Sequence, residues 1–276
     1  MATSSLLGCL AALAGCGGNG GDVGVSMGGG GSAGGGLNGN QGAVSLAMAP
    51  WIVLDLATGK ATALATMSDP STTALRSTSM AFRRVTTPGG EILVALCETT
   101  QAQWTLLGGG TPWTAIDAAL VGSQAVGGDR PAFALSYRAI TATLTAWNAN
   151  HSSQLRLPTS TDWDAAVSTG GGGSGGAFTW GSATDRATLA AHAVVYETGG
   201  ASPGPRAVGS LAPSPLGFFD LHGNVWEWLD GGTQLVGGSW RDGIQQARSG
   251  NRLGADALVG ADTDHLLFGV RLTLRL

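Results

Sequence analysis

Short runs of apolar residues separated by turn-forming residues open the readable part of the chain. Trp51-Ile-Val-Leu-Asp-Leu56 and Ala61-Thr-Ala-Leu-Ala-Thr66 flank Gly59-Lys60, which predicts two strands around a glycine-containing turn. Asp69-Pro70 followed by Ser-Thr-Thr marks a loop. Met80 to Val85 and Glu91 to Leu96 then flank Pro88-Gly89-Gly90 and predict a second hairpin, with Ile92 to Cys97 apolar enough to be a buried strand. Two hairpins in succession point to an antiparallel element and away from a doubly wound sheet. The period changes after residue 136. Ile140, Leu144 and Trp147 recur at spacings of four and three, giving one apolar face to a helix over Ser136 to Asn150. Thr159, three residues before Asp162, is an acidic variant of the capping box and opens a short helix through Val167. Beyond Gly170 to Gly176 periodicity fades, and glycine, proline and tryptophan dominate. A long region with so little regular structure needs another source of order, either tryptophan burial or a bound metal.

Composition narrows the class. Of 276 residues 47 are glycine, and only 12% are charged, about half the usual share. With 14 Lys+Arg against 18 Asp+Glu the chain has no basic field with which to neutralise phosphates, so nucleic acid is not an expected partner. No apolar run reaches the roughly 18 residues of a membrane-spanning helix. At 43% hydrophobic residues with nine tryptophans the chain can still bury a core.

The glycine excess is concentrated. Leu6 to Ala14 is a short apolar stretch of the signal-peptide kind, and Leu13-Ala14-Gly15-Cys16 resembles the bacterial lipobox, which implies cleavage before Cys16 and lipidation of its thiol. Residues 1–16 are therefore expected to be a lipoprotein signal with its lipobox, and 17–42 a glycine-rich tether behaving as random coil. The protein would lie outside the cytoplasm at a bacterial cell envelope, held to the membrane by its lipid anchor. Of Cys9, Cys16 and Cys97, the first is lost with the signal and the second blocked by lipid. Cys97 is left without a disulfide partner and reads as an inert core thiol.

Gly217-Phe-Phe-Asp-Leu-His-Gly-Asn-Val-Trp-Glu-Trp228, then Val236-Gly-Gly-Ser-Trp240, Arg248, Arg252 and Phe268-Gly-Val-Arg-Leu272 carry a more specific pattern. Upstream, in the same order, come Glu98-Thr-Thr-Gln, Arg130-Pro131 to Tyr137, Arg156-Leu-Pro-Thr-x-x-Asp-Trp163, Phe178-Thr-Trp-Gly181 and Val208-Gly-Ser210. In these motifs the chain resembles the formylglycine-generating enzyme family, also called the sulfatase-modifying-factor domain. The resemblance implies a loop-rich α+β fold of the C-type-lectin type over residues 80–276, with 43–79 as an N-terminal β-hairpin extension.

It also implies a structural calcium ion, with Asp220 and Glu227 as charged ligands and Gly223 and Val225 contributing carbonyls, an oxygen set suited to a hard cation. A second calcium site of the family is not carried over, because only Asp185 and Glu197 lie between Gly181 and Val208. The family's oxidase binds copper through two cysteines after Gly-Gly-Ser-Trp; the matching positions here are Asp242 and Ala247. Cu(I) wants thiolates, so copper is not expected and no catalytic residue is assigned. The four histidines are too scattered for a zinc site.

A binding surface is left as the expectation. In layout the chain resembles the variable proteins of diversity-generating retroelements, whose diversified segment would here run from Gly237 to Leu272. Trp240, Arg241, Asp242, Ile244, Gln245, Gln246, Arg248, Ser249, Asn251 and Arg252 are then the expected ligand contacts, for an unidentified protein or glycan. The alternative is an enzyme of the formylglycine-generating type, or a related oxidoreductase with altered chemistry.

Overall fold

In a computed structural model the described residues are 44–67, 69–70, 72–168, 176–199, 203–254 and 260–276. The expected signal peptide, Cys16 and the tether lie outside them, as do Gly170 to Gly175 and residues 255–259 of the C-terminal segment. The described residues belong to one unit, Gln41–Leu276.

Both hairpins form. β1 (Trp51–Asp55) pairs with β2 (Ala61–Leu64), and β3 (Ser79–Thr87) pairs with β4 (Gly90–Ala95), all antiparallel. β1 also pairs with β3 over five positions, from Trp51 opposite Arg83 to Asp55 opposite Ser79. The N-terminal hairpin is thus continuous with the main sheet. β10 (Thr273–Arg275) inserts between β4 and β5 (Gln154–Arg156), giving the order β2-β1-β3-β4-β10-β5. The last residues of the chain therefore close a sheet begun by the first described ones.

The sheet's alternation sorts its side chains onto two faces. Ile52, Leu54, Phe82, Leu93 and Leu274 pack with Leu144 and Trp147 of α3 (Tyr137–Asn148). Val85 and Val94 face Trp163, Ala166 and Val167 of α4 (Ser160–Val167). The α3 face read from the sequence is the buried one, and Ser136 caps the helix through Ala139 N. The capping box of α4 is present in both directions, and Asp162 also accepts from Arg156 Nη1 at 2.9 Å. α1 (Gln101–Leu106), α2 (Ala118–Val121) and α5 (Arg186–His192) add three helices that the apolar period did not reveal.

A second, smaller sheet carries the motif region. β6 (Trp226–Trp228), β7 (Gln234–Val236), β8 (Leu253–Gly254) and β9 (Phe268–Gly269) run in the order β8-β7-β6-β9, with β6 and β9 parallel. These strands have two or three residues each, so side chains and not ladders must hold the region. Seven of the nine tryptophans are buried, and four of these donate their indole N–H to a backbone carbonyl. Trp228 Nε1 donates to Leu135 O at 2.8 Å, and Trp147 Nε1 to Leu56 O at 3.1 Å. Tryptophan burial is the source of order that the sequence asked for.

Candidate functional site

The loop between Gly217 and Trp228 folds back on itself through two non-glycine residues in the left-handed region, Asp220 at φ 54° and Asn224 at φ 63°. Asn tolerates that conformation through its short polar side chain. The turn brings Asp220, Asn224 and Glu227 beside Glu98, which follows β4, and beside Arg271, which precedes β10. All five are buried.

Arg271 is the centre of this hub. Its Nε donates to Glu227 Oε2 at 2.9 Å and its Nη2 to Oε1 at 2.8 Å. Nη1 donates to the carbonyls of Leu96 at 2.8 Å and Ala95 at 3.2 Å, and Nη2 to Phe219 O at 2.8 Å. All five guanidinium N–H groups are placed, as a buried arginine requires. Burial works against its charge, yet the charge and hydrogen bonds of Glu227, with Glu98 behind them, hold its pKa above the ordinary value. Glu98 accepts from Val225 N at 3.0 Å and Asn224 Nδ2 at 2.5 Å. Burial, then the Asp220 and Glu227 carboxylates, push it well above the usual carboxylate range. Asp220 is raised by burial, against the pull of the Gly209 N–H and of Arg271.

The four residues expected to hold calcium are therefore brought into one loop, with the carboxylates of Asp220 and Glu227 both directed to protein partners. Glu227 faces Arg271 with both oxygens, Asp220 accepts from Gly209 N at 2.5 Å, and Val225 N–H goes to Glu98. A calcium ion needs six to eight converging oxygens. Among the described residues no group of three or more His, Cys, Asp or Glu side chains is arranged to hold a metal. In this arrangement both charged donors are engaged within the protein, and the positive charge beside Glu227 is a guanidinium. Sequence reasoning treated Arg271 and Glu98 only as motif residues; the reach of Glu98 across 127 positions to Val225 has no local signal.

The expected ligand residues divide by burial. Arg241, Gln245, Gln246 and Arg248 are exposed, whereas Asp242, Ser249, Asn251 and Arg252 are partly covered. Trp240 and Ile244 are buried. Ile244 turns into a cluster with Phe178, Val195 and Ala247, so it supports the surface from below and is not a contact on it. Trp240 lies inside with Arg241 above its ring at 5.9 Å, and its Nε1 has no partner. Arg252 reaches Asp164 of α4 at 2.5 Å, and Asn251 Nδ2 donates to Gln246 O at 2.7 Å. Glu197 receives Ile244 N–H on both oxygens at 3.1 Å, and Asp185 caps α5, which gives both acids of that stretch structural duties. Beside Asp242 stands Tyr196, 74% exposed, whose N–H donates to Asp242 O at 2.9 Å. Sequence reasoning missed it, since a single tyrosine in aperiodic sequence gives no signal.

His222 is buried under this segment. Its Nδ1 lies 2.7 Å from Ala247 O, and its Nε2 accepts from Thr179 N at 3.0 Å. That pattern fixes the neutral tautomer with the proton on Nδ1. Burial lowers its pKa to about 4.

The family model for the sulfatase-modifying factor enzyme 1-like domain matches residues 78–273. The chain belongs to this family. A comparison with curated proteins gives no match. Among solved structures, the domain is similar to Treponema denticola variable protein 1, with a TM-score of 0.58 at 16% identity over 72% of this chain and 96% of that one. It is also similar to PvdO from Pseudomonas aeruginosa, at 0.54 and 17% over 72% and 94%, and to CarF, at 0.52 and 19% over 68% and 87%. At these identities the likeness is one of fold, the loop-rich α+β fold that the motifs imply.

The two positions that the motif resemblance sets against the family oxidase's copper cysteines are held by contacts within this domain. Asp242 Oδ2 accepts from Trp226 Nε1 at 2.8 Å and from Ser239 Oγ through a short hydrogen bond. Ala247 is fully buried in the cluster that carries Ile244. Cys97 is the cysteine among the described residues. Burial of its thiol, then the charge of Asp220, push it far above the usual thiol range, which disarms it as a nucleophile or soft-metal ligand.

Proposed function

We propose that this protein is a non-catalytic binding protein of the sulfatase-modifying factor enzyme family, tethered through Cys16 to the outside of a bacterial membrane. The observation that carries the reading is the state of positions 242 and 247. A carboxylate already bonded to Trp226 and Ser239, and a buried methyl, stand where the family's oxidase has its thiolates. Around them Arg241, Gln245, Gln246, Arg248 and Tyr196 form an exposed polar and aromatic surface on a rigid base. Tyrosine, arginine and amide side chains of this kind suit recognition of a protein or a glycan. The fold likeness to Treponema denticola variable protein 1 supports reading Gly237 to Leu272 as a segment open to variation between copies.

Three measurements test this. Purified protein with copper and oxygen is expected to leave a sulfatase-motif cysteine peptide unchanged; its conversion to formylglycine would overturn the non-catalytic reading. On glycan and protein arrays, wild-type protein is expected to select partners that a variant with Arg241, Gln245, Gln246 and Arg248 changed to alanine does not. Identical profiles would remove this surface from the binding role. For the anchor, metabolic labelling with a palmitate analogue should mark wild type and not Cys16→Ser.

A further inference from the structure

On another part of the domain, the loop after α2 and the segment 203–210 border an open pocket of about 450 Å³, whose described lining includes no residue of the C-terminal surface. Its walls are held by two interlocked glycines. Gly122 at φ 80° and Gly204 at φ 125° lie so close to the opposite chain that an added Cβ would stand 2.1 Å from Pro203 O and 1.8 Å from Val121 O. No other residue fits at either place, so the cavity is built into the backbone packing. With Pro203 and Pro205 beside them, these walls lose little entropy on binding.

The chemistry of the lining is one-sided. Arg130 and Arg206 both line the cavity, with Ser123, Ser210 and Gln124 between and around them, and none of the described residues that line it is acidic. The two arginines come together because Val208 N donates to Asp129 O at 2.9 Å, which runs the segment bearing Arg206 alongside the one bearing Arg130. Arg206 is fixed at its backbone by Asn224 Oδ1, 2.9 Å from its N–H, and at its tip by one bond from Nη2 to Thr198 O at 2.8 Å. Among the described residues its remaining guanidinium donors meet no carboxylate. Among the described residues the acid paired with Arg130 is Asp129, with Nε 3.8 Å from a half-exposed carboxylate, a pairing of little value in water. Two arginines on one pocket with no acidic residue among its described lining residues suit an anion.

We infer that this cavity is a ligand site for a phosphomonoester, whose dianionic head group takes both guanidinium groups while its remaining oxygens accept from the serine hydroxyls. A head group with two charges and three terminal oxygens matches two arginines and two hydroxyls better than a single carboxylate does. The volume exceeds that of phosphate alone and leaves room for an attached group of about sugar size. The inference stands independently of the proposed C-terminal binding surface.

Isothermal titration of the full chain with inorganic phosphate and with glycerol phosphate tests it, acetate at matched ionic strength being the comparison. Saturable binding of both phosphates and none of acetate is expected. Vesicles of phosphatidic acid against phosphatidylcholine tell a lipid-borne phosphomonoester from a free one. Arg130→Gln and Arg206→Gln should each weaken phosphate binding about 10-fold or more, while Arg186→Gln, on the exposed face of α5, should not. Because Arg206 also holds Thr198, Arg130→Gln and Ser123→Ala provide variants outside that bond, and each variant's melting curve is compared with the wild type's. No saturable phosphate binding by the wild-type protein, or binding unchanged in both Arg130→Gln and Arg206→Gln, overturns the inference. Loss of phosphate binding on changing Arg241 and Arg248 instead would place the anion at the C-terminal surface and overturn it equally.

Discussion

Arg271→Met removes the hub of the motif region with little change in side-chain length. It leaves the Glu227 carboxylate at 0% exposure with no counter-charge and takes donors from the carbonyls of Ala95, Leu96 and Phe219. Breaking a buried pair from one side costs about 3–5 kcal/mol, most of it the penalty of an uncompensated buried charge. For a domain of this size that is a fall in Tm of about 6–20 °C. If the penalty has that origin, removing the other charge should relieve it. Arg271→Met with Glu227→Leu is expected to regain about half or more of the loss, the remainder reflecting the three carbonyls. Chemical denaturation of both variants and of each single change gives the coupling energy directly. The same series run with excess calcium and with chelator examines the counter-charge: with Arg271 in that role the midpoints are the same in both. A cost below about 1 kcal/mol for Arg271→Met, a double variant no better than the single one, or a wild-type midpoint that rises with calcium and falls with chelator would each refute the reasoning.

Two buried groups should titrate with opposite signs. Glu98 is held well above 4.5 on folding, so its contribution favours the native state at low pH and is lost as the pH rises from about 4.5 through its folded value; Glu98→Gln should gain on the wild type over that rise in urea unfolding, and parallel curves would contradict it. His222 is depressed from 6.5 to about 4, so its contribution is present above 6.5 and is lost as the pH falls towards 4, by roughly 3 kcal/mol. His222→Gln should abolish that acid loss, and an unchanged acid midpoint would show the residue to be silent. Gly204→Ala should destabilise by about 1–3 kcal/mol or more from its backbone angle alone, and a neutral effect on the melting point would show that the cavity walls are not locked together.

How legible the molecule is in its sequence depends on the distance over which each feature is decided. The hairpins, α3 and the α4 capping box rest on neighbours within four residues, and the chain writes them openly: Ile140, Leu144 and Trp147 are both the pattern and the buried face. Even α1 carried a local sign in Thr100 and Gln103, whose reciprocal cap has the spacing of a capping box, although its single turn and a half left no apolar period to notice. The motifs located the candidate loop, but the contacts of its residues were set by partners far away in sequence. Glu227 reads as a metal ligand when seen with Asp220, seven positions upstream; it reads as half of an ion pair only when Arg271, 44 positions on, is folded against it. The same holds at the surface, where Ile244 alternates with polar neighbours as a contact residue would, yet a 3-10 turn at Ile244–Ala247 rolls it under and leaves Gln245 and Gln246 outside. Glycine and tryptophan explain why this family is hard to read locally. Strands of two or three residues contribute few ladder bonds, so the backbone is positioned by indole N–H groups and one buried guanidinium acting across the chain. An arrangement specified by such long-range donors would keep its fold if its exposed loop residues changed, which is the physical requirement of the binding role proposed above.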